Sequence, residues 1–298
     1  DDCFWLYSSG STGSPKGTMH VHSSLIQTAE LYAKPILGIQ ENDLVFSAAK
    51  LFFAYGLGNA LTFPLAVGAT SLLMAERPTP DSVFKRLVER KPTIFYGVPT
   101  LYGAMLASNV KPTKKDLGLR ICTSAGEPLP AELGQRWKDR FGVDILDGIG
   151  STEMLHIFIS NTPTDIKYGT TGKPVPGYKI CLEDEGKQVV DGELGDLKIC
   201  GPTSAIQYWN NRTKTRETFA GLWTNSGDKY FLDSDGYYVY GGRSDDMLKV
   251  SGQYVSPFEV EAALMSHTSV LEAAVVGSLD GEGLIKPKAF VVLLPETD

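Results

Sequence analysis

The sequence is poor in the features that mark metal modules, exported domains and nucleic-acid binders. Its four cysteines, Cys3, Cys122, Cys181 and Cys200, lie far apart, and no CxxC or Cys/His pair has metal-ligand spacing. That excludes a disulfide framework and a zinc module, and it predicts reduced, buried thiols in a cytoplasmic protein. No block of Lys and Arg occurs and the net charge is −7, so the clustered basic face needed for nucleic acid is missing. No run of about eighteen apolar residues and no signal peptide are present, so neither a membrane span nor export is expected. Internal repeats are absent. So is an initiating Met: the chain opens inside the apolar run 3–7, which predicts a fragment of a longer protein.

What is present is an ordinary globular balance. Of 298 residues, 42% are hydrophobic and 21% charged, enough for a large core and more than one domain. Up to about residue 150, strand-like runs (3–7, 93–96, 120–123, 143–146) alternate with helix-like ones (23–33, 81–90, 130–141). This alternation predicts a layered α/β sheet. From about 168 to 241 short alternating strands between Gly/Asp turns (179–183, 188–190, 196–200, 237–240) predict an antiparallel β subdomain. A helix at 257–265 and strands at 273–277 and 289–294 predict a small α+β unit after a polar linker at 242–246. The expected division is a large domain over 1–241 and a small one over 242–298.

The densest chemical signal is Ser8-Ser9-Gly10-Ser11-Thr12-Gly13-Ser14-Pro15-Lys16-Gly17. Small residues let backbone amides approach an anion, hydroxyls donate hydrogen bonds, and one ammonium neutralises charge, which suits a polyphosphate. A flexible linker would not stand between a core strand and a helix, nor end in Pro-Lys-Gly. The G-x-x-x-x-G-K-[ST] pattern does not fit, because Pro15 stands five after Gly10 and Gly17 follows Lys16. A second loop, Asp147-Gly148-Ile149-Gly150-Ser151-Thr152-Glu153, offers a Thr beside a carboxylate just after a strand. That pair suits a phosphate oxygen and Mg²⁺, which prefers phosphate plus one or two carboxylates. Each loop alone could be a polar turn.

Taken in order, SSGSTGSPKG, SAGEP (Ser124 to Pro128), GIGSTE (Gly148 to Glu153), SGD (Ser226 to Asp228) and GRSDDMLKVSG (Gly242 to Gly252) resemble the AMP-forming acyl/aryl-CoA synthetase superfamily over essentially the whole chain. KLFFAYGLGN (Lys50 to Asn59) and DGIGSTEMLHIF (Asp147 to Phe158) are similar to benzoate–CoA ligases in particular. The resemblance implies ATP, Mg²⁺ and coenzyme A as cofactor and co-substrates, with a small aromatic carboxylic acid activated as its adenylate. It implies a partial large α/β domain with its β subdomain, and a truncated α+β lid that swings between two half-reactions. Ser8, Ser9, Thr12 and Lys16, within a loop that includes Gly10, Ser11 and Gly13, would embrace the β- and γ-phosphates. Gly126, Glu127 and Pro128, with Asp147, Gly148, Ile149, Gly150 and Ser151, would line the adenine. Thr152 would bind the α-phosphate, Glu153 the Mg²⁺, and Asp228 the ribose with Arg243 nearby. Lys16, Thr152, Glu153 and Arg243 carry the catalytic expectation. Asp245 matches the hinge, and Lys249 and Gly252 the place where lid and thioester site meet. Two positions depart from the pattern: Ile149 stands where an aromatic is common, and Asn225 where Arg is frequent.

Phe53, Ala54, Tyr55, Gly150, His156 and Ile157 match positions that wall the aryl ring in benzoate–CoA ligases. His156 follows Glu153 by three on an expected helical start, so both would face one site. His20, His22 and His267 read as surface or packing residues. An apolar ring pocket with no polar demand beyond the Tyr55 phenol favours benzoate. Alternatives are 4-hydroxybenzoate or aminobenzoate, a peptide-synthetase adenylation domain, and a binding module with little turnover. The last arises because the family's late P-K-x-x-x-G-K-like motif, with its adenylation Lys, is not reached by residue 298. Oligomeric state is open, a homodimer being one option.

Overall fold

A computed structural model describes residues 1–9, 15–250, 253–267, 269–281 and 284–293. Its centre is a seven-stranded sheet in the order Thr70–Leu72, Leu44–Ser47, Ile94–Gly97, Ile121–Ser124, Ile145–Gly150, Ile157–Ser160, Lys173–Pro174. The first five run parallel; the last two turn antiparallel. The central strands are buried at nearly every position because helices and further chain cover both faces. Alternation sorts the side chains. Phe46, Phe95, Cys122 and Ile145 pack under Phe84, Leu87, Tyr102, Trp137 and Phe141, while Val45, Tyr96, Ile121 and Leu146 face Tyr32, Ala33 and Phe63.

The covering helices follow their local signals. Pro80–Arg90 starts on a Thr79 side chain that accepts from the Ser82 amide, and it buries Val83, Phe84 and Leu87. Ala131–Phe141 ends at Gly142, whose φ of 65° is left-handed. A further helix, Pro99–Ala107, was not expected from the sequence. Its residues are apolar on all sides, so no 3.6-residue pattern exists to read. The expected helix 23–33 is present over His22 to Ala33, widening to π-helical turns at Ala29–Ala33, but it begins without the expected Ser23 or Ser24 side-chain cap.

The second sheet is antiparallel throughout, as the sequence predicts. It runs Lys187–Gln188, Lys179–Asp184, Gly195–Cys200, Trp223–Leu232 and Phe219–Ala220, with Tyr238–Arg243 also on Trp223–Leu232. The opening loop corrects the sequence reading. It joins two strands of a hairpin, Asp2–Ser9 and Pro15–Val21, rather than a strand and a helix. Gln207–Tyr208 adds a third strand, pairing Tyr208 with Thr18. The C-terminal part has a Leu248–Val250/Gln253–Val255 hairpin, a helix Pro257–Met265 capped by Ser256, and the strand pair Val270–Leu279/Ile285–Leu293. All four cysteines are free, but only Cys122 is fully buried; the other three are half-buried. Among the described residues no helix is long and apolar enough to cross a membrane.

Candidate active site

The loops after the parallel strands converge at the carboxyl edge of the central sheet, where open α/β sheets hold their ligands. Two cavities meet there. One, of about 560 Å³, is lined by Ser8, Lys16, Gly126, Glu127, Pro128, the run Asp147 to Ser151, Glu153, Asn225, Asp228, Arg243 and Asp245. The other, of about 730 Å³, is lined by Ala54, Tyr55, Gly150, His156 and Ile157, by the exposed ring of Phe53, and by Lys50, Arg77 and Pro78. Gly126, Gly150 and Ser151 belong to both linings and form the wall between them. A side chain at Gly150 has no room: a Cβ there would lie 2.7 Å from the His156 backbone carbonyl.

Hairpin register puts Ser8 directly opposite Lys16, so both side chains face the smaller cavity. Lys16 Nζ stands 3.9 Å from Glu153 Oε1. Asp228 and Arg243 are cross-strand partners in a 3.0 Å ion pair. Burial pushes the Asp228 carboxyl above its ordinary value even beside that guanidinium. Burial also pushes the Asp147 carboxyl well above its own, with the Leu129 amide the bonded donor to Oδ2. Three buried polar atoms on this lining have no partner: Ser8 Oγ, Asp147 Oδ1 and Asn225 Oδ1. Buried polar atoms are rarely left orphaned, so this cavity fits a ligand rich in donors and acceptors. The Lys16 ammonium fits phosphate, and the Glu153 carboxylate beside it fits Mg²⁺ held mainly by phosphate oxygens.

The larger cavity is the reverse. Its lining is mostly apolar, and two of its polar groups are engaged: Tyr55 shares a hydroxyl hydrogen bond with Thr123, and His156 Nε2 lies 3.1 Å from Asn59 Oδ1, while His156 Nδ1 is buried without a partner. With the Asn59 oxygen facing the ring, Nε2 carries the proton. Tyr32, Tyr55 and Phe63 cage the imidazole at centroid distances of 5.2, 5.6 and 4.5 Å. Burial drives its pKa down to about 3.

Several sequence expectations shift on this geometry. Residues 151–156 are a turn, not a helical start, with Leu155 at a left-handed φ of 67°. Glu153 and His156 therefore line different cavities rather than one. Thr152 lines the larger cavity, while its neighbour Glu153 lines the smaller. His20 is a buried packing residue, stacked on Phe4, and its Nε2–H also donates to the Thr152 carbonyl at 2.7 Å; burial lowers its pKa. Tyr208, which no spacing singled out, donates to Glu153 Oε1 at 2.6 Å. Lys249 lies in the Leu248–Val250 strand. Gly10, Ser11, Thr12, Gly13 and Gly252 lie outside the described residues.

Comparison with known proteins agrees with this arrangement. The AMP-binding enzyme family matches residues 1–209, and the AMP-binding enzyme C-terminal domain matches residues 259–298. A benzoate–CoA ligase of Thauera aromatica is 68% identical over 297 residues, which are 99% of this chain and 56% of that protein. The crystal structure of a benzoate CoA ligase from Burkholderia xenovorans LB400 is 64% identical with a TM-score of 0.94, over 100% of this chain and 59% of that one. An anthranilate CoA ligase solved with anthranoyl-AMP is 49% identical with a TM-score of 0.93, over 100% of this chain and 58% of its own. The chain thus spans about half the length of the curated relatives it matches. With the two cavities, the ordered loops and these matches together, the chain belongs to the AMP-binding enzyme family.

Proposed function

We propose that the full-length protein activates benzoate with ATP as an acyl-adenylate and passes the acyl group to coenzyme A. The observation that carries this reading is a mostly apolar cavity lined by Phe53, Tyr55, His156 and Ile157, separated from a polar, cation-bearing cavity by a wall of Gly126, Gly150 and Ser151. The acid's ring rests against Phe53, Ala54, Tyr55, His156 and Ile157, with its carboxylate at the wall. Attack on the α-phosphorus forms one P–O bond there and breaks the bond to pyrophosphate. The protein's task is positioning and charge neutralisation. Lys16, with Ser8, Ser9 and Thr12, takes the β- and γ-phosphates, while Thr152 at the wall holds the α-phosphate. Glu153 would hold Mg²⁺, which when bound would supply charge neutralisation at the phosphates. Asp228, fixed by Arg243, holds the ribose. Gly126, Glu127, Pro128 and Asp147 to Ser151 enclose the adenine, whose amine matches the orphaned Asp147 oxygen. Asp245 is the hinge; Lys249 and Gly252 serve the thiol-transfer arrangement. The free thiols suit a cytoplasmic site.

Benzoate is favoured over hydroxylated or amino-substituted rings because the Tyr55 hydroxyl and His156 Nε2 already have partners. A ring hydroxyl there would be desolvated without a matching group. Pyrophosphate release by the full-length enzyme, measured across benzoate, 4-hydroxybenzoate, 2-aminobenzoate, acetate and palmitate, tests this. Benzoate should give the highest kcat/KM; a higher value for any of the others overturns the substrate assignment.

A further inference from the structure

The segment that runs into the third strand of the opening sheet is fastened to both phosphate-side loops. The Ala205 amide donates to the Glu153 carbonyl at 2.8 Å, Ile206 to Met19 at 2.9 Å, and Trp209 to Gly17 at 2.7 Å. Between these anchors Tyr208 is nearly fully buried. Its amide donates to Thr215 Oγ1 at 3.0 Å, and its ring packs on Phe219 at 5.3 Å. The phenol is thus aimed by its own backbone. It donates to Glu153 Oε1 at 2.6 Å and accepts from Lys16 Nζ at 3.4 Å, and the ammonium also sits 4.6 Å from the ring centroid.

We infer that Tyr208 is a positioning residue, a spacer that holds Glu153 and Lys16 apart and leaves each with free capacity for its ligand. Unspaced, an ammonium and a carboxylate on facing loops close to about 2.8 Å and satisfy one another. Here they stay at 3.9 Å. Among the described residues, the contacts to the Glu153 carboxylate fall on Oε1, so Oε2 is left for a cation. Lys16 likewise keeps protons for phosphate. This is the outer-layer arrangement that orients a metal-holding carboxylate. The inference rests on the reading of Glu153 as the Mg²⁺ residue.

The test uses the full-length protein and Mn²⁺ as the probe, titrated by EPR of the free ion in the presence of ATP. Tyr208→Phe keeps the buried ring and removes the hydroxyl, and it should weaken Mn²⁺ binding roughly 10–100-fold. The KM for benzoate should not move, because Tyr208 does not line that cavity. Glu153→Gln should weaken Mn²⁺ binding, and Tyr208→Phe added to it should cost little more. Unchanged Mn²⁺ affinity in Tyr208→Phe, with Glu153→Gln impaired, overturns the spacer role alone. Full affinity in Glu153→Gln overturns the metal assignment and the spacer with it. Independent, additive losses overturn the route through Glu153.

Discussion

Lowering the pH should expose how completely His156 is held neutral. Its imidazole is 2% exposed, enclosed by three aromatic rings, with Nε2–H on Asn59 and no room beside it: a Cβ on Gly58 would come within 2.5 Å of its Cδ2. Burial lowers the folded pKa to about 3 from 6.5 in the unfolded chain. Between those values the unfolded chain binds a proton that the fold refuses. Stability from this residue is therefore complete above 6.5 and is lost as the pH falls toward 3. The slope is about 1.4 kcal/mol per pH unit, so at pH 5 the loss is about 2 kcal/mol. Unfolding midpoints of the wild type and His156→Gln, measured at pH 7.5 and 5, isolate the effect, since His20 and the carboxylates are common to both. The wild type should lose roughly 4–8 °C more than the variant over that interval, at ~2–4 °C per kcal/mol for a domain of this size. An offset between the two proteins that stays constant from pH 7.5 to 5 would refute the buried-neutral reading. The same argument gives His156 a packing and pocket-closing part, with no proton to give or take near neutral pH.

Two further perturbations separate the cavities. Lys16→Ala removes one charge-assisted partner and should weaken ATP binding roughly 10–100-fold; equilibrium ATP titration with unchanged affinity would sink the phosphate assignment, and the order of acids should stay as it was. Gly150→Ala places a methyl against the His156 backbone and forces the shared wall to shift. A displacement of about 1 Å can cost ~10²-fold in rate, so benzoate-dependent ATP–pyrophosphate exchange should fall by about that factor; near-normal exchange would show that the wall yields.

Much of this was legible in the residues. The alternation of strands and helices up to residue 150, the antiparallel β region after it and the helix Pro257–Met265 follow from local patterns. So do the loops that line the two cavities, because each carries its chemistry in a few consecutive residues. What escaped depends on pairing across long sequence distances. His20 reaches Thr152 and Tyr208 reaches Glu153 because the small opening sheet, built from segments near residues 20 and 208, lies against the turn that leaves the central sheet after Gly150. Nothing near either residue in sequence signals its partner. The hairpin at the opening loop was misread for a related reason: a strand is named by what it pairs with, and Pro15–Val21 pairs backward. The split of Glu153 and His156 between two cavities turns on one left-handed residue, Leu155, which propensity would not place there.

Lys16 and Tyr208 meet across 192 residues of chain. Chain closure of that length is slow relative to local helix and hairpin formation, so the nucleotide cavity is among the last features to assemble. On the proposed reading, residue 208 must be synthesised before the Lys16–Tyr208–Glu153 contact can form. Occupancy by ATP then adds a stabilisation that only the finished fold receives, growing with the ligand's excess over its dissociation constant. On the proposed reading, the nucleotide would therefore favour molecules in which these two distant segments have already met.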